Sequence, residues 1–295
     1  MKFYIADAFT DTILCGNPAG VVILPEGADF PADALMTRIA AELRYSETAF
    51  IKRLNAREFQ IRYFTPAAEV ELCGHATIAS FKALLHGGYI EDDRSYINHT
   101  LSGDLAISIS DGFVMMDMAE AKMTGEINDE TARGELYSVM GLSYAAQKEK
   151  GLALRPQIIS TGLPDIMLPV ADQGELSAIA PDFPALSALS RHYGVVGVHA
   201  FTLDADDGIL CRARNFAPLY GIDEEAATGT ANGALTYYGY LNGFVRPGDE
   251  CSILQGEDMG RPSVIRSSLR LDDHGNVRIC VGGSGAVLVE GEIYI

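Results

Sequence analysis

Residues 3–8 alternate loosely between apolar and polar side chains, which predicts a strand, and the apolar run 20–24 predicts a second, with Gly16, Asn17 and Pro18 as the turn between them. After Pro31, the residues Leu35, Met36, Ile39, Ala40 and Leu43 recur at helical spacing, so a helix is expected over 31–43. Ser46 and Glu47 stand where that helix hands over to a strand at 48–52. Phe59, Ile61 and Tyr63 alternate with Glu58, Gln60 and Arg62 in a half-buried strand that Pro66 ends. A helix over 74–85 carries Ile78, Phe81, Leu84 and Leu85, with Ala76, Ala79 and Ala83 on its other faces, and Gly87 and Gly88 stop it. It is apolar most of the way round, the profile of a helix enclosed by sheet.

The same alternation predicts strands at 96–100, 104–110 and 113–117 with hairpin turns at 102–103 and 111–112, then a crossing segment at 119–126. Helices are expected over 130–140, 143–148 and 182–193, and strands over 156–160, 166–170, 195–203 and 208–216. A second small-residue helix runs over 230–241 and Gly243 ends it. Strands at 263–271, 277–281 and 286–295 close the chain, with turns at 273–275 and 282–285. Within this pattern one stretch returns. Arg-x-Phe-x-Pro at 62–66 recurs at 214–218, and each copy leads through acidic residues to a small-Gly-polar-Ala junction, Cys73 to Ala76 and Thr228 to Ala231. The spacing from Pro66 to Gly74 is eight residues and from Pro218 to Gly229 eleven. Two related halves are expected, each a curved sheet around one central helix, an α+β plan with two facing helix starts.

A chain of 295 residues with 48% apolar and 21% charged residues has enough apolar content for a substantial core. Its formal charge of −18 argues against nucleic acid or an anionic membrane surface as a partner. The N-terminal stretch has neither the length nor the apolar run of a signal peptide or membrane span. The five cysteines at 15, 73, 211, 251 and 280 are scattered and include no C-x-x-C pair, as suits reduced thiols in a cytoplasm. His86, His99, His192, His199 and His274 show no metal-ligand spacing, so no metal cofactor is expected.

The helix starts at Gly74 and Gly229 present backbone N–H groups and the positive end of the helix dipole, together an anion site suited to a small carboxylate. Glu69, Glu71, Glu224 and Glu225 complement those dipoles, while Arg62 and Arg214 read equally as structural partners of these acids or as substrate clamps. His75, beside Gly74, is a candidate ligand contact. Cys73 precedes the first helix start, where the dipole is expected to lower a thiol pKa. Its counterpart is Thr228, and a two-thiol racemase would need cysteine at both positions. Gly282, Gly283, Ser284 and Gly285 precede no predicted helix and are not a phosphate loop.

Asn17-Pro-Ala-Gly-Val-Val22, Ser46-Glu-Thr-Ala-Phe50, Arg62-Tyr-Phe-Thr-Pro66, Cys73-Gly-His-Ala-Thr77, Thr161-Gly162, Thr228-Gly-Thr-Ala-Asn-Gly233 and Gln255-Gly256 with Gly260-Arg-Pro262 together resemble the PhzF-like phenazine biosynthesis family, within the diaminopimelate epimerase fold. The matches run in order over nearly the whole chain. The resemblance implies an N-terminal domain, 1–118, completed by the C-terminal strand 286–295, and a C-terminal domain, 119–285, with the active site in the cleft between them and usually a homodimer. It implies cofactor-independent isomerisation, with Glu47 at the position of the proton-moving glutamate. By the same carry-over His75 and the Gly74 backbone contact the substrate, as do Gly229 and Thr230, while Ser46 and Asn17 line the pocket. The chain departs from the family pattern at Glu224-Glu225-Ala226, where Glu225 stands for a substrate-orienting aspartate, and at Thr230, where serine is usual. A racemase using Cys73 and a non-catalytic carboxylate-binding protein are the alternatives.

Overall fold

The structure is a computed structural model and describes residues 1–294. Met1–Asp117 with the chain from Gly282 onward form one compact unit, and Met118–Val281 form the other. The two are built by one recipe. In the first, the parallel strands Asn17–Ile23 and Thr48–Arg53 are joined through the helix Asp33–Leu43, and the parallel strands Glu58–Phe64 and Arg94–Thr100 through the helix Gly74–His86. In the second, Pro164–Pro169 and Val198–Thr202 are joined through Phe183–Tyr193, and Cys211–Ala217 and Glu250–Gln255 through Gly229–Leu241.

Strand alternation decides which helix each side chain meets. In the first unit Phe50 and Phe64 make an edge contact with centroids 5.6 Å apart, within the cluster that includes Met36 and Ile39 of the outer helix. Their neighbour Tyr63 points the other way, its hydroxyl 2.7 Å from Thr77 Oγ1 of the central helix. That helix packs on the strands Lys2–Ala8, Asn17–Ile23, Thr48–Arg53, Phe113–Asp117 and Gly285–Glu292 and is buried on all faces from His75 to Phe81. In the second unit Ile166, Leu168, Val198 and Phe216 cluster with Leu186 and Leu189 of the outer helix. Phe201 turns instead to Tyr238 of the second central helix, with centroids 5.1 Å apart. Each large apolar side chain fully buried in this way contributes ~1.5–3 kcal/mol. Packing therefore holds the second central helix despite Gly233 and Gly239 in its interior, each costing ~1 kcal/mol relative to alanine.

Several boundaries differ from the sequence expectation. Asn17 and Pro18 already belong to a strand, paired with Ala8 and Asp7, so the turn ends at Gly16, whose φ is 67°. Pro31 lies two residues before its helix. Gly282 and Gly283 end the strand Val277–Gly283 and Gly285 opens the next, Gly285–Glu292, leaving Ser284 as the whole break. The tail strand ends at Glu292, and Ile295, the last residue of the expected strand, lies outside the described residues. The short helix Gln173–Ser177 and the strand Glu250–Gln255 were not expected at all. Among the described residues no helix is long and apolar enough to cross a membrane.

Candidate active site

The outer helix of the first unit ends at Arg44, a non-glycine residue in the left-handed region with φ 60°, whose N–H bonds the Ala40 carbonyl. The chain then turns into the strand Thr48–Arg53, and the Glu47 carbonyl accepts from the Gly20 N–H at 3.2 Å. This fixes Ser46 and Glu47 at the strand entry. The Glu47 carboxylate, 13% exposed, places Oε2 3.2 Å from His75 Nε2, and His75 is 4% exposed. Ser46 Oγ lies 3.3 Å from the same nitrogen, and Cys73 Sγ lies 3.4 Å from the Nδ1 of that ring. Glu47 Oε2 is buried, and among the described residues none gives it a well-aligned hydrogen bond; His75 stands at ion-pair distance but off line. This carboxylate oxygen therefore keeps spare acceptor capacity.

His75 is placed by the helix Gly74–His86, whose cap residue Cys73 is extended at φ −143° and supplies no side-chain cap. Thr77 Oγ1 donates to the Cys73 carbonyl at 2.7 Å and braces the turn. The Cys73 thiol contradicts the sequence expectation. Its pKa is not lowered but pushed up to about 11, by burial first and by the nearby Glu47 charge second. Desolvation of a thiolate in this enclosed position outweighs the helix dipole and His75. Asn17 is buried and opens its strand opposite Ala8, on the strand whose Gly20 holds Glu47.

The second helix start is built alike and furnished differently. Thr228 is its extended cap residue, again without a side-chain cap, and Asn232 Nδ2 donates to the Thr228 carbonyl at 2.8 Å as Thr77 does to Cys73. Thr228 Oγ1 donates to Glu225 Oε2 at 2.5 Å, so Glu225 is held against the helix start. Gln255 ties the same loop from below, its Nε2 donating to the Glu225 carbonyl at 2.7 Å and its Oε1 accepting from Asn232 Nδ2 at 2.7 Å and from the Thr228 N–H. A side chain at Gly256, φ 81°, would sit 2.6 Å from the Ala226 carbonyl, so glycine is required beside this loop. Gly229 is buried, and the half-buried Thr230 offers its carbonyl to Thr161 Oγ1 at 2.9 Å. Behind them His199 lies between Asn215 and Asn232, held neutral with its pKa lowered to about 4 by burial. Asp165, 2% exposed, has its pKa raised to about 7 by burial and by the charge of Glu225, against one hydrogen bond from the Gly197 N–H.

Backbone bonds align the two units residue by residue. Gly20 N–H to Glu47 O in the first corresponds to Ile166 N–H to Gly197 O in the second, each immediately before the second parallel strand. The counterpart of Glu47 is therefore Gly197, where even a Cβ would stand 1.9 Å from the Phe216 carbonyl. The counterparts of Cys73 and His75 are Thr228 and Thr230. The cluster of Glu47, Cys73 and His75 thus has no like-for-like counterpart in the second unit. Arg62 and Arg214, left open by sequence, are both structural: Arg62 forks onto Glu69 at 2.7 and 2.5 Å, and Arg214 onto Glu224 at 2.8 and 2.8 Å. Sequence reasoning missed Asp165, His199 and Asn232. The signal for Asp165 was an acid inside the apolar stretch 164–170; His199 and Asn232 meet only through pairing of distant segments.

Three comparisons bear on identity. The family model of the phenazine biosynthesis-like proteins matches residues 6–291. An uncharacterised isomerase of Clostridium acetobutylicum is 31% identical over 308 residues, covering 100% of this chain and 98% of the relative. The trans-2,3-dihydro-3-hydroxyanthranilate isomerase of Pseudomonas fluorescens is 32% identical over 300 residues, covering 100% and 99%. The crystal structure of a PhzF-family phenazine biosynthesis protein of Bacillus anthracis superposes with a TM-score of 0.88 at 24% identity, covering 100% and 99%. With the same architecture and a match along almost its entire length, the chain belongs to the phenazine biosynthesis-like, or PhzF, family and is an isomerase.

Proposed function

We propose that the chain is a cofactor-independent isomerase that moves a proton between two carbons of a small carboxylate, with Glu47 as general acid and base. The observation that carries this reading is the Glu47 carboxylate, shielded from water beside the first helix start, with one buried oxygen that no aligned donor occupies and His75 at 3.2 Å. In the reaction Glu47 removes a proton from an activated carbon, leaving a carbanion delocalised toward the substrate's unsaturated or carboxylate group. It then returns the proton to the second carbon and is again ionised, so neither oxidant nor metal is required. His75, Ser46 and the Gly74 N–H orient the carboxylate and the substrate, and Asn17 lines the same unit. Gly229 and Thr230 supply the second helix-start hold for anionic groups, and Glu225, fixed by Thr228, orients the substrate.

The high pKa of Cys73 and the absence of a thiol at Thr228 speak against two-thiol racemisation. The substrate named for the Pseudomonas fluorescens relative, trans-2,3-dihydro-3-hydroxyanthranilate, is the first probe, with other small unsaturated amino and hydroxy carboxylates beside it. On whichever is turned over, Glu47→Gln should lower kcat by ~10²–10⁴-fold with KM little changed, the loss expected of a positioned acid-base group. Undiminished turnover by Glu47→Gln would reject the assignment.

A further inference from the structure

The second unit carries a buried carboxyl group of its own, one strand over from the place of Glu47. The register that matches Gly197 with Glu47 also matches Ile166 with Gly20, so Asp165 is the counterpart of Ala19. Ile166 and Leu168 pack toward the outer helix, and by alternation Asp165 faces the central helix Gly229–Leu241. His199, two residues beyond Gly197, has the same direction, its Nε2 lying 3.3 Å from Asn232 Oδ1 of that helix. The hairpin that pairs Asp165 with Ile159 is tied to the helix start by Thr161 Oγ1, which donates to the Thr230 carbonyl at 2.9 Å. Each unit thus turns one carboxyl group toward its own central helix, Glu47 in the first and Asp165 in the second.

The fold does not satisfy Asp165 as an ion. It is 2% exposed, accepts one backbone N–H, from Gly197, and leaves Oδ1 buried with no partner. An ionised carboxylate offers about four acceptor sites and needs more donors than one. A carboxylic acid suits the place, since it accepts from Gly197 and keeps an O–H to donate. We propose that Asp165 contacts the substrate as a neutral carboxylic acid, donating its O–H to the anionic group held at the helix start of Gly229 and Thr230. Burial first and the charge of Glu225 second raise its pKa to about 7, so the acid form prevails below neutrality. The ionisable groups on the elements around it are Glu225, held by Thr228, and His199, which stays neutral. Above about pH 7 Asp165 ionises, loses its donor and repels the anion it held. The inference rests on the proposed function for the substrate's anionic group and adds to it the residue that makes its hold depend on pH.

The pH dependence of binding tests it. The probe is anthranilate, an unreactive aromatic carboxylate related to the substrate named for the Pseudomonas fluorescens relative, which keeps one negative charge from pH 6 to 9. Its Kd is measured by calorimetry across that range for wild type, Asp165→Asn and Asp165→Ala, with circular dichroism to show that each is folded. The wild-type Kd should rise by up to ~10-fold per pH unit above neutrality. Asp165→Asn, whose amide keeps both hydrogen bonds and does not titrate, should match the wild type at pH 6 and stay level to pH 9. Asp165→Ala should bind ~10–100-fold more weakly at pH 6, the loss of one hydrogen bond to a charged group. For a carboxylate that is turned over, KM should follow the same pattern with kcat little moved, a split that a merely structural role would not produce. Parallel pH profiles for wild type and Asp165→Asn, or no anthranilate binding by the wild type at pH 6, overturn the inference. If the profiles part as expected but Glu47→Gln isomerises normally, the acid-base reading alone falls. If Glu47→Gln is inactive and the profiles run parallel, this inference alone falls.

Discussion

Glu47 and Asp165 are both carboxyl groups withdrawn from water, and their neighbours set them to different work. Glu47 faces His75 and Ser46, whereas Asp165 is enclosed beside Glu225 with Oδ1 lacking any hydrogen-bond partner among the described residues. With a pKa near 3.8 when unfolded and about 7 when folded, Asp165 holds a proton in the fold that it would release in the open chain. Its stabilising contribution is complete below the unfolded pKa and is lost as pH rises through about 7. Asp165→Asn removes that loss. Urea unfolding at pH 5, 6, 7 and 8 should show the variant gaining on the wild type by roughly 1 kcal/mol per pH unit up to neutrality and levelling off above it. A difference that stays flat across the series would mean that Asp165 ionises normally. His199, with its folded pKa lowered to about 4, contributes stability above its unfolded pKa that is lost as pH falls through 4. It is common to both chains and cancels in the comparison. At this scale the sequence announces Glu47 and His75 through a family motif. The environments that tune Asp165, His199 and Cys73 are invisible to it, because they come from burial by segments far apart in the chain.

At the scale of elements the repeated Arg-x-Phe-x-Pro stretch is a staple. In each copy the arginine lies over its own phenylalanine, 5.2 Å for Arg62 on Phe64 and 5.0 Å for Arg214 on Phe216, and forks onto the acid that follows. Arg214 does more, since its NH1 also donates to the carbonyls of Leu176, Ser177 and Ile179 at the end of the short helix Gln173–Ser177. Removing it leaves Glu224 and those carbonyls without their donor. Arg214→Ala should therefore cost ~3–5 kcal/mol, the range for breaking a buried pair. Arg62→Ala should cost less, because its second partner, Asp33, is 72% exposed. Equal losses in denaturant titrations would show that the added carbonyl contacts carry no weight. The helices and most strands follow from periodicity. The strand Glu250–Gln255 does not, since its inward positions are Cys251, Ile253 and the polar Gln255, whose amide is spent bracing the second helix start. A polar residue at a core position erased the alternation that would have marked the strand.

For the molecule as a whole, two units share a backbone plan and carry different residues at equivalent positions. The repeat at 62–77 and 214–231 made the shared plan legible, and the pairing of Cys73 with Thr228 hinted at the inequality. Its extent needed the register, because Gly197 matches Glu47 only through equivalent strand bonds and nothing near Gly197 in sequence resembles Ser46-Glu-Thr-Ala-Phe50. On the function proposed above, the unit that holds Glu47 carries proton transfer and Cys73 is a bystander to it. The measurement that tests this most directly follows isomerisation and uptake of solvent deuterium together by NMR in D₂O, for wild type, Glu47→Gln and Cys73→Ala on the same small carboxylate. The account predicts that Glu47→Gln loses both signals by ~10²–10⁴-fold while Cys73→Ala loses far less. Retention of both by Glu47→Gln with their loss in Cys73→Ala would contradict it and move the chemistry to the thiol.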